Sequence, residues 1–176
     1  MEEIGMDQSS SNIIAFNSPL ETGLRSLCIL SSAHPNSFDL QQLIAFDHLA
    51  VHTGDIEGAP VSLHPKDSKR NGELLVRRQI VERGLLLMES KKLLQKIATP
   101  DGFHYKAGEF ASVFLESLTT PYMRALLIRA DWIVNSFLSE SSEAFSTVYE
   151  NAFERWATEF QFTKLTYGAN QQGTSS

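Results

Sequence analysis

Residues 71–106 read NGELLVRRQIVERGLLLMESKKLLQKIATPDGFHYK, and the organisation of the rest of the chain follows from them. The part from Gly72 to about Ser90 has the periodicity of a long amphipathic helix. Two alternating, β-rich runs follow, 93–98 and 103–106, with Thr-Pro-Asp-Gly between them. Proline presets φ and glycine accepts the left-handed geometry of a tight turn, so this stretch predicts a helix that runs directly into a two-stranded hairpin.

The composition is that of an ordinary globular protein. The chain has 176 residues, of which 42% are hydrophobic, a fraction typical of one folded domain. No run approaches the ~18 apolar residues of a membrane span, and no signal peptide opens the chain. The single cysteine, Cys28, cannot form an internal disulfide. We therefore predict a cytoplasmic protein with no membrane association.

The net charge of −6 is unevenly distributed. Residues 66–96 contain nine Lys and Arg against four Asp and Glu, a local charge of +5 that leaves −11 for the rest of the chain. From Asp131 to the end there are six acids and two bases. Such a polarised molecule suits docking between partners of different charge, and it does not resemble a generally basic nucleic-acid binder.

The N-terminal part of the chain reads as an arm, a strand and two helices. Residues 1–12 are polar and serine-rich, so we predict a disordered arm. The apolar run 13–16 could form an edge strand beside the hairpin. Ser18 is the predicted N-cap of the first helix, and a second helix is predicted from residues 37–39 to about His52.

The second and third helices each carry a charge within an apolar face. At 100° per residue, Asp47 falls among the apolar residues of its helix, and Arg77 does the same on the third helix. We predict a partly buried ion pair between them, which would fix helix register more than it adds stability. Three alternatives stay open: either side chain turns to solvent, Arg77 pairs with Glu73 one turn back, or Arg129 is the partner.

A long loop, 53–72, separates these helices, and it lies close to several potential metal ligands. These are His48, His52, His64 and Asp55 or Glu57. The sequence lacks the glutamate that follows the first histidine in zinc hydrolases, and it has no cysteine pair. We therefore predict no metal and no cofactor. His52, Asp55 and His64 are expected to pin the loop through hydrogen bonds.

Two surfaces could contact partners. The third helix places Leu75 and Leu86 beside Arg78 and Glu82, and this strip is a candidate docking surface, although packing of the leucines against C-terminal helices is an equal alternative. Basic residues around the helix and hairpin are candidate nucleic-acid contacts. They are Lys69, Arg70, Arg83, Lys91, Lys92 and Lys96.

The C-terminal part is predicted to be helical over residues 109–118 and 121–138, with a last acidic and aromatic helix after a break at 139–142. The apolar band of the last helix contains Phe145, Tyr149, Phe153 and Trp156. This band could pack on the chain's own core, or it could enter a partner's groove with anchors at i, i+3, i+4 and i+7.

Together these elements predict a mainly α (α+β) fold, a winged helix-turn-helix core with a two- or three-stranded wing and appended C-terminal helices. We predict four segments: a disordered arm (1–12), a winged-helix domain (13–119), a C-terminal helical extension (120–166) and a disordered tail (167–176). No catalytic constellation is recognisable, so we expect a protein that works through its surfaces and not an enzyme.

Short motifs spread over the chain resemble the second type of middle component of bacterial ABC-three-component systems. They include Ser18-Pro19-Leu20-Glu21, Phe46-Asp47-His48-Leu49, Val51-His52-Thr53-Gly54-Asp55, Ser62-Leu63-His64-Pro65 and Ala130-Asp131-Trp132-Ile133-Val134. The resemblance covers about residues 16–137. It implies a system in which an SMC-like ABC ATPase works with a middle component and an effector, often a nuclease, against phage or plasmids, as in Lamassu-type systems.

The resemblance implies a non-enzymatic adaptor that bridges the SMC-like ABC ATPase subunit and the effector subunit and meets DNA only within the assembly. No catalytic residues are carried over with it. A winged-helix DNA-binding regulator that uses the basic third helix and wing is the alternative, and it would bind DNA alone with a strong salt dependence. A metal-dependent hydrolase is a third possibility, which elemental analysis would test.

Overall fold

The computed structural model describes residues 18–64, 73–139, 143–154 and 158, and for residues 73–75 it describes the backbone only. The protein is mainly helical with one small antiparallel sheet. Its elements are α1 (Pro19–Ser32), β1 (Phe38–Asp39), α2 (Leu40–Val51), a 3₁₀ turn (Thr53–Asp55), α3 (Glu73–Ser90), β2 (Leu94–Thr99), β3 (Gly102–Ala107), α4 (Ala111–Glu116) and α5 (Pro121–Ser139). Residues 143–154 are also helical. Within the described residues, no helix combines the length and the apolar character needed to cross a membrane.

Side-chain caps start the first two helices. The Ser18 hydroxyl accepts a hydrogen bond from the Glu21 N–H at 3.3 Å, and Pro19 opens α1. At α2 the Asp39 carboxylate accepts from the Gln42 N–H at 2.8 Å, while the Gln42 side chain accepts from the Asp39 N–H at 3.0 Å. Both caps satisfy backbone donors that the first turn leaves free, so the local sequence determines where the helices begin.

The predicted hairpin is present. β2 and β3 pair antiparallel from Leu94↔Ala107 to Thr99↔Gly102, so the Pro-Asp pair forms a two-residue loop. Gly102 has a φ of +125°, which a residue with a Cβ rarely adopts. At the other end, Lys92 takes a left-handed φ of 60° where α3 ends, and the Leu93 N–H donates back to the Met88 carbonyl at 3.0 Å. This turn joins α3 directly to the hairpin.

The third strand of the sheet is β1, and the strand order is β1-β3-β2. Phe38 pairs with Tyr105 and Asp39 with His104. The strand expected over 13–16 lies outside the described residues. β1 falls where the sequence pattern predicted the start of the second helix. Its backbone is extended because Asp39 is the N-cap of α2, and an N-cap takes β-region dihedral angles.

α1 lies at the centre of the fold and is buried on almost every side. It crosses α3 at Gly23 and Gly84, where the two backbones approach closely. A Cβ on Gly84 would lie 2.6 Å from the Gly23 nitrogen and 2.8 Å from the Pro19 carbonyl oxygen. α5 and helical residues 143–154 complete the same hydrophobic core. Their aromatic rings meet those of β1 and α2 in edge-on and tilted contacts within 6 Å, among Phe38, Phe46, Phe137 and Tyr149.

Candidate partner-binding surface

α3 and the β2–β3 hairpin form the candidate surface, which we call the helix–hairpin surface. The outward face of α3 carries two large apolar side chains, Val76 (58% exposed) and Leu86 (66% exposed), with exposed Arg83 between them in the chain. Apolar side chains that share one exposed helix face are candidates for burial against a partner. The side chain of Leu75 belongs to the part of the chain that is not described.

The hairpin adds an aromatic side chain to the helix–hairpin surface. Phe103 is 61% exposed, and the Lys96 ammonium lies 4.3 Å from its ring centre. Tyr105 is on the same face of β3, because side chains alternate along a strand. Burial raises the pKa of Tyr105, and the charges of Glu89 and Glu82 raise it further. Tyr105 belongs to the hydrophobic core, so Phe103 lies on the core-facing side of the hairpin, with Lys96 near both rings.

Arg78 and Glu82 occupy the flank of α3. The Arg78 Nε donates to a Glu82 carboxylate oxygen at 3.2 Å, and the two side chains are 29% and 43% exposed. An ion pair this accessible to water contributes little stability. It fixes two polar groups beside the exposed apolar face of α3, an arrangement that suits the rim of an interface.

The predicted nucleic-acid residues that the structure describes lie on α3, in the turn that follows it and on β2. Arg83, Lys91, Lys92 and Lys96 are all exposed. Acids accompany them, with Asp101 and Glu109 exposed and Glu89 half-buried. Lys69 and Arg70 lie outside the described residues.

A groove of about 410 Å³ runs along β2 between Glu89, Lys92, Glu109 and Phe110. β2 is the last strand in the sheet order. Lysines on an edge strand hinder its pairing with another strand. We therefore read Lys96 as protection of this edge.

The structure brings Asp47 and Arg77 together, and it adds a third residue that the sequence analysis missed. The Asp47 carboxylate lies 2.6 Å from the Arg77 Nη1 and 2.6 Å from the Arg25 Nε. A second Arg25 nitrogen donates to Asp47 at 3.3 Å and to the Thr22 hydroxyl at 3.1 Å. Asp47 is thus an acceptor for two buried guanidinium groups on two different helices.

Electrostatics keep Asp47 ionised in this buried site. Burial by itself would raise the pKa of Asp47, but the charges and hydrogen bonds of Arg25 and Arg77 outweigh it and lower the pKa. The pKa of Arg25 is raised although burial opposes the charged form, because Asp47 lies against it. The three residues join α1, α2 and α3, so this buried ionic cluster positions the helix that carries the helix–hairpin surface.

Arg25 could not be found from helical periodicity. α1 is buried around almost its whole circumference, so an arginine outside its most apolar arc still lies in the core. Arg129, the alternative partner for Asp47, has other acceptors. It donates to the Ala125 carbonyl at 2.7 Å and to the Val61 carbonyl at 2.9 Å.

The loop after α2 is held by several contacts, and His64 makes one of them. The His64 Nε2 lies 3.3 Å from the Tyr122 hydroxyl. Burial lowers the pKa of His64 to about 4, and the charge of Arg25 adds to the effect. The ring centres of His48 and His52 are 4.8 Å apart, and Asp55 is exposed. Among the residues that the structure describes, no three His, Cys, Asp or Glu are grouped so as to hold a metal ion.

The last helix turns its aromatic side inward. Phe145 is 1% exposed and packs edge-on against Trp132. Tyr149 packs against Phe46 and Phe137, and Phe153 stacks on Tyr149. Phe145 is therefore unavailable to a partner, because the chain's own core already covers it. Trp156 lies outside the described side chains.

These features describe a mainly helical protein with three of its exposed large apolar side chains, Val76, Leu86 and Phe103, on α3 and the hairpin that follows it. Residues 15–159 match the family model of the ABC-three component (ABC-3C) system Middle Component 2. Because the match spans most of the chain, the protein belongs to this family. Searches of curated proteins and of solved structures found no match.

Proposed function

We propose that this protein is the non-enzymatic adaptor of an anti-phage or anti-plasmid ABC-three-component defence complex of the Lamassu type. It bridges an SMC-like ABC ATPase and an effector nuclease in the cytoplasm. Membership of a middle-component family supports the proposal, since a middle component works beside other subunits.

We also propose that the described elements from α1 to β3 form the core of the winged-helix domain predicted for residues 13–119. The element order from α1 to β3 is helix, strand, helix, helix, strand, strand. β1 pairs with the far side of β3, so the hairpin is the wing and α3 precedes it. This order and pairing are those of a winged helix-turn-helix domain, and they support the assignment. In this reading, α3 and the wing are one unit whose position the buried ionic cluster determines.

The observation that carries the adaptor proposal is the exposure of Leu86 and Phe103 on the helix–hairpin surface. Both side chains are more than half exposed on regular secondary structure. Removing their apolar surface from water is favourable, so a partner that covers them gains binding free energy. Arg78, Glu82 and Lys96 provide polar groups around them, as interface rims do.

Co-expression with the two other components of the system tests the proposal. With an affinity tag on this chain, the wild type should co-purify with the ATPase component. The double variant Leu86→Arg, Phe103→Arg should lose at least about tenfold of that yield, because each change places a charge in a desolvated contact. Ile128→Arg is the matched control, since Ile128 is 60% exposed on α5. Equal retention of the ATPase by the double variant and the control would refute this interface.

DNA binding by the lone protein is the second candidate function, favoured by the exposed Arg83, Lys91, Lys92 and Lys96. It predicts tight binding of duplex DNA at low salt and a steep loss of affinity as salt rises. The neighbouring acids Glu89, Asp101 and Glu109 oppose it. Filter binding at two salt concentrations separates the two functions, because the adaptor alone should retain little DNA under either condition.

A further inference from the structure

The outward side of helical residues 143–154 is acidic. Its inward side carries Phe145 and Tyr149 into the core. The exposed positions recur at helical spacing, and they are Glu143, Thr147, Glu150, Asn151 and Glu154. A helix of this kind packs against the core with one side and exposes its charged side to solvent, where another molecule can contact it.

The loop after α2 continues this acidic side. Asp55 and Glu57 are exposed there, and they line the same groove as Glu143. The described residues 53–64 and 143–154 contain five carboxylates and no lysine or arginine. Arg129 on α5 donates to the Val61 carbonyl of this loop. Charges of one sign that line a cleft produce a focused field, here negative.

The groove between the loop and the helix has a volume of about 460 Å³. Its floor is apolar, made by the buried Ile56 and the half-buried Ala144 and Val148. Its rim is formed by exposed residues, namely Asp55, Glu57, Glu143 and Thr147. An apolar floor inside an acidic rim offers two kinds of contact to one occupant, since apolar side chains can enter it while cations meet the carboxylates.

We propose that this groove, which we call the acidic groove, docks a cationic amphipathic segment of a partner protein. The segment places one or two apolar side chains on Ile56 and Val148 and its lysines or arginines on the carboxylate rim. Charge complementarity selects this occupant over nucleic acid, whose phosphates the same rim repels. The inference rests on the proposed function, because it assigns the docking chemistry of one partner of the adaptor.

A defined probe tests the acidic groove with the full chain alone. The probe is a fluorescent synthetic helix of about 16 residues with leucines at i and i+4 and lysines elsewhere. Wild-type protein should bind it, and an analogue with glutamates in place of the lysines should not bind. Thr147→Arg places a cation in the rim and should weaken binding by at least about tenfold.

Ser112→Arg is the matched control, because Ser112 is exposed on α4 and the change adds the same charge outside the acidic groove. It should alter the affinity by less than about twofold, since a charge remote from the contact acts only through the screened overall field. Equal weakening by the two variants would mean that net charge alone attracts the probe, and this would overturn the proposal. Binding of the glutamate analogue would do the same.

A second copy of the chain is the remaining alternative occupant of the acidic groove. Sedimentation of the wild type and of Thr147→Arg tests it by measuring the oligomeric state. A wild-type dimer that Thr147→Arg converts to monomer would assign the groove to self-association and overturn the proposal. Circular dichroism establishes that both variants are folded. Failure here is distinct from failure of the adaptor proposal, because the co-purification test depends on Leu86 and Phe103, while this one needs no other component.

Discussion

Replacing Asp47 with asparagine should be the most damaging single change to the buried ionic cluster. Asp47 is the acceptor for Arg25 and Arg77, each at 2.6 Å, and the side chains of Asp47 and Arg25 are only 1% exposed. Two arginines and one aspartate give the cluster a formal charge of +1. Asp47→Asn raises this charge to +2 and removes the carboxylate that both arginines contact.

The expected magnitudes follow from which charge each variant leaves behind. Asp47→Asn leaves two buried cations without their counter-charge and should cost about 3–5 kcal/mol of unfolding free energy. Arg25→Met and Arg77→Met each leave a one-to-one ion pair and should cost about 1–3 kcal/mol. Arg25→Met should cost more than Arg77→Met, because Arg25 is the more buried and also bonds Thr22.

Urea unfolding followed by circular dichroism measures these differences. A loss of about 4 kcal/mol moves the midpoint by about 2 M for a typical urea dependence. Arg78→Met is the control, since it breaks the exposed Arg78–Glu82 pair and should cost less than about 1 kcal/mol. The reasoning fails if Arg77→Met destabilises as much as Asp47→Asn, or if Asp47→Asn remains within about 1 kcal/mol of the wild type.

Three further predictions concern other parts of the fold. Gly84→Ala should lower stability by about 1–3 kcal/mol, because the new Cβ would meet backbone atoms of Gly23 and Pro19. This cost exceeds the gain from the better helix propensity of alanine. Unchanged thermal unfolding would contradict the close crossing of α1 and α3. Lys92→Gly should raise stability by about 1 kcal/mol or less, since glycine adopts the left-handed φ of 60° without strain. A melting temperature below that of the wild type would contradict this prediction. His64 has its pKa lowered by burial from 6.5 to about 4, so the unfolded chain binds the proton first as the pH falls, and stability should drop between about pH 6.5 and pH 4. His64 is partly solvated, which limits this loss to about 1–2 kcal/mol. His64→Gln should flatten the dependence of stability on pH between about pH 6.5 and pH 4. An unchanged pH dependence in the variant would show that His64 does not control it.

The elements that sequence reasoning found are those whose signals are local. The cap at Ser18 acts over three residues, and the hairpin turn acts over four. The mainly helical character and the hairpin were confirmed for this reason, since each depends on neighbouring dihedral angles. β1 was missed because two extended residues before a capped helix carry no periodicity.

The contacts of Asp47 show the limit of the same reasoning. Charges within the apolar faces of two helices predicted that Asp47 and Arg77 would meet. Arg25 was not identified because helical-wheel reasoning assumes that one side of a helix faces solvent, whereas α1 is buried on almost every side. The aromatic band of the last helix left two outcomes open, and the buried Phe145 shows that the chain's own core covers that part of the band.

Sequence alone determined where α1 starts, where the hairpin turns and how charge is divided along the chain, because those properties depend on residues close together in the chain. Only the tertiary structure decided that Arg25 joins Asp47, that Phe145 faces inward, and that Asp55 and Glu143 line one groove. Arg25 and Asp47 are 22 residues apart in the chain, and Asp55 and Glu143 are farther apart still. Their proximity depends on how whole helices pack, which local patterns do not specify.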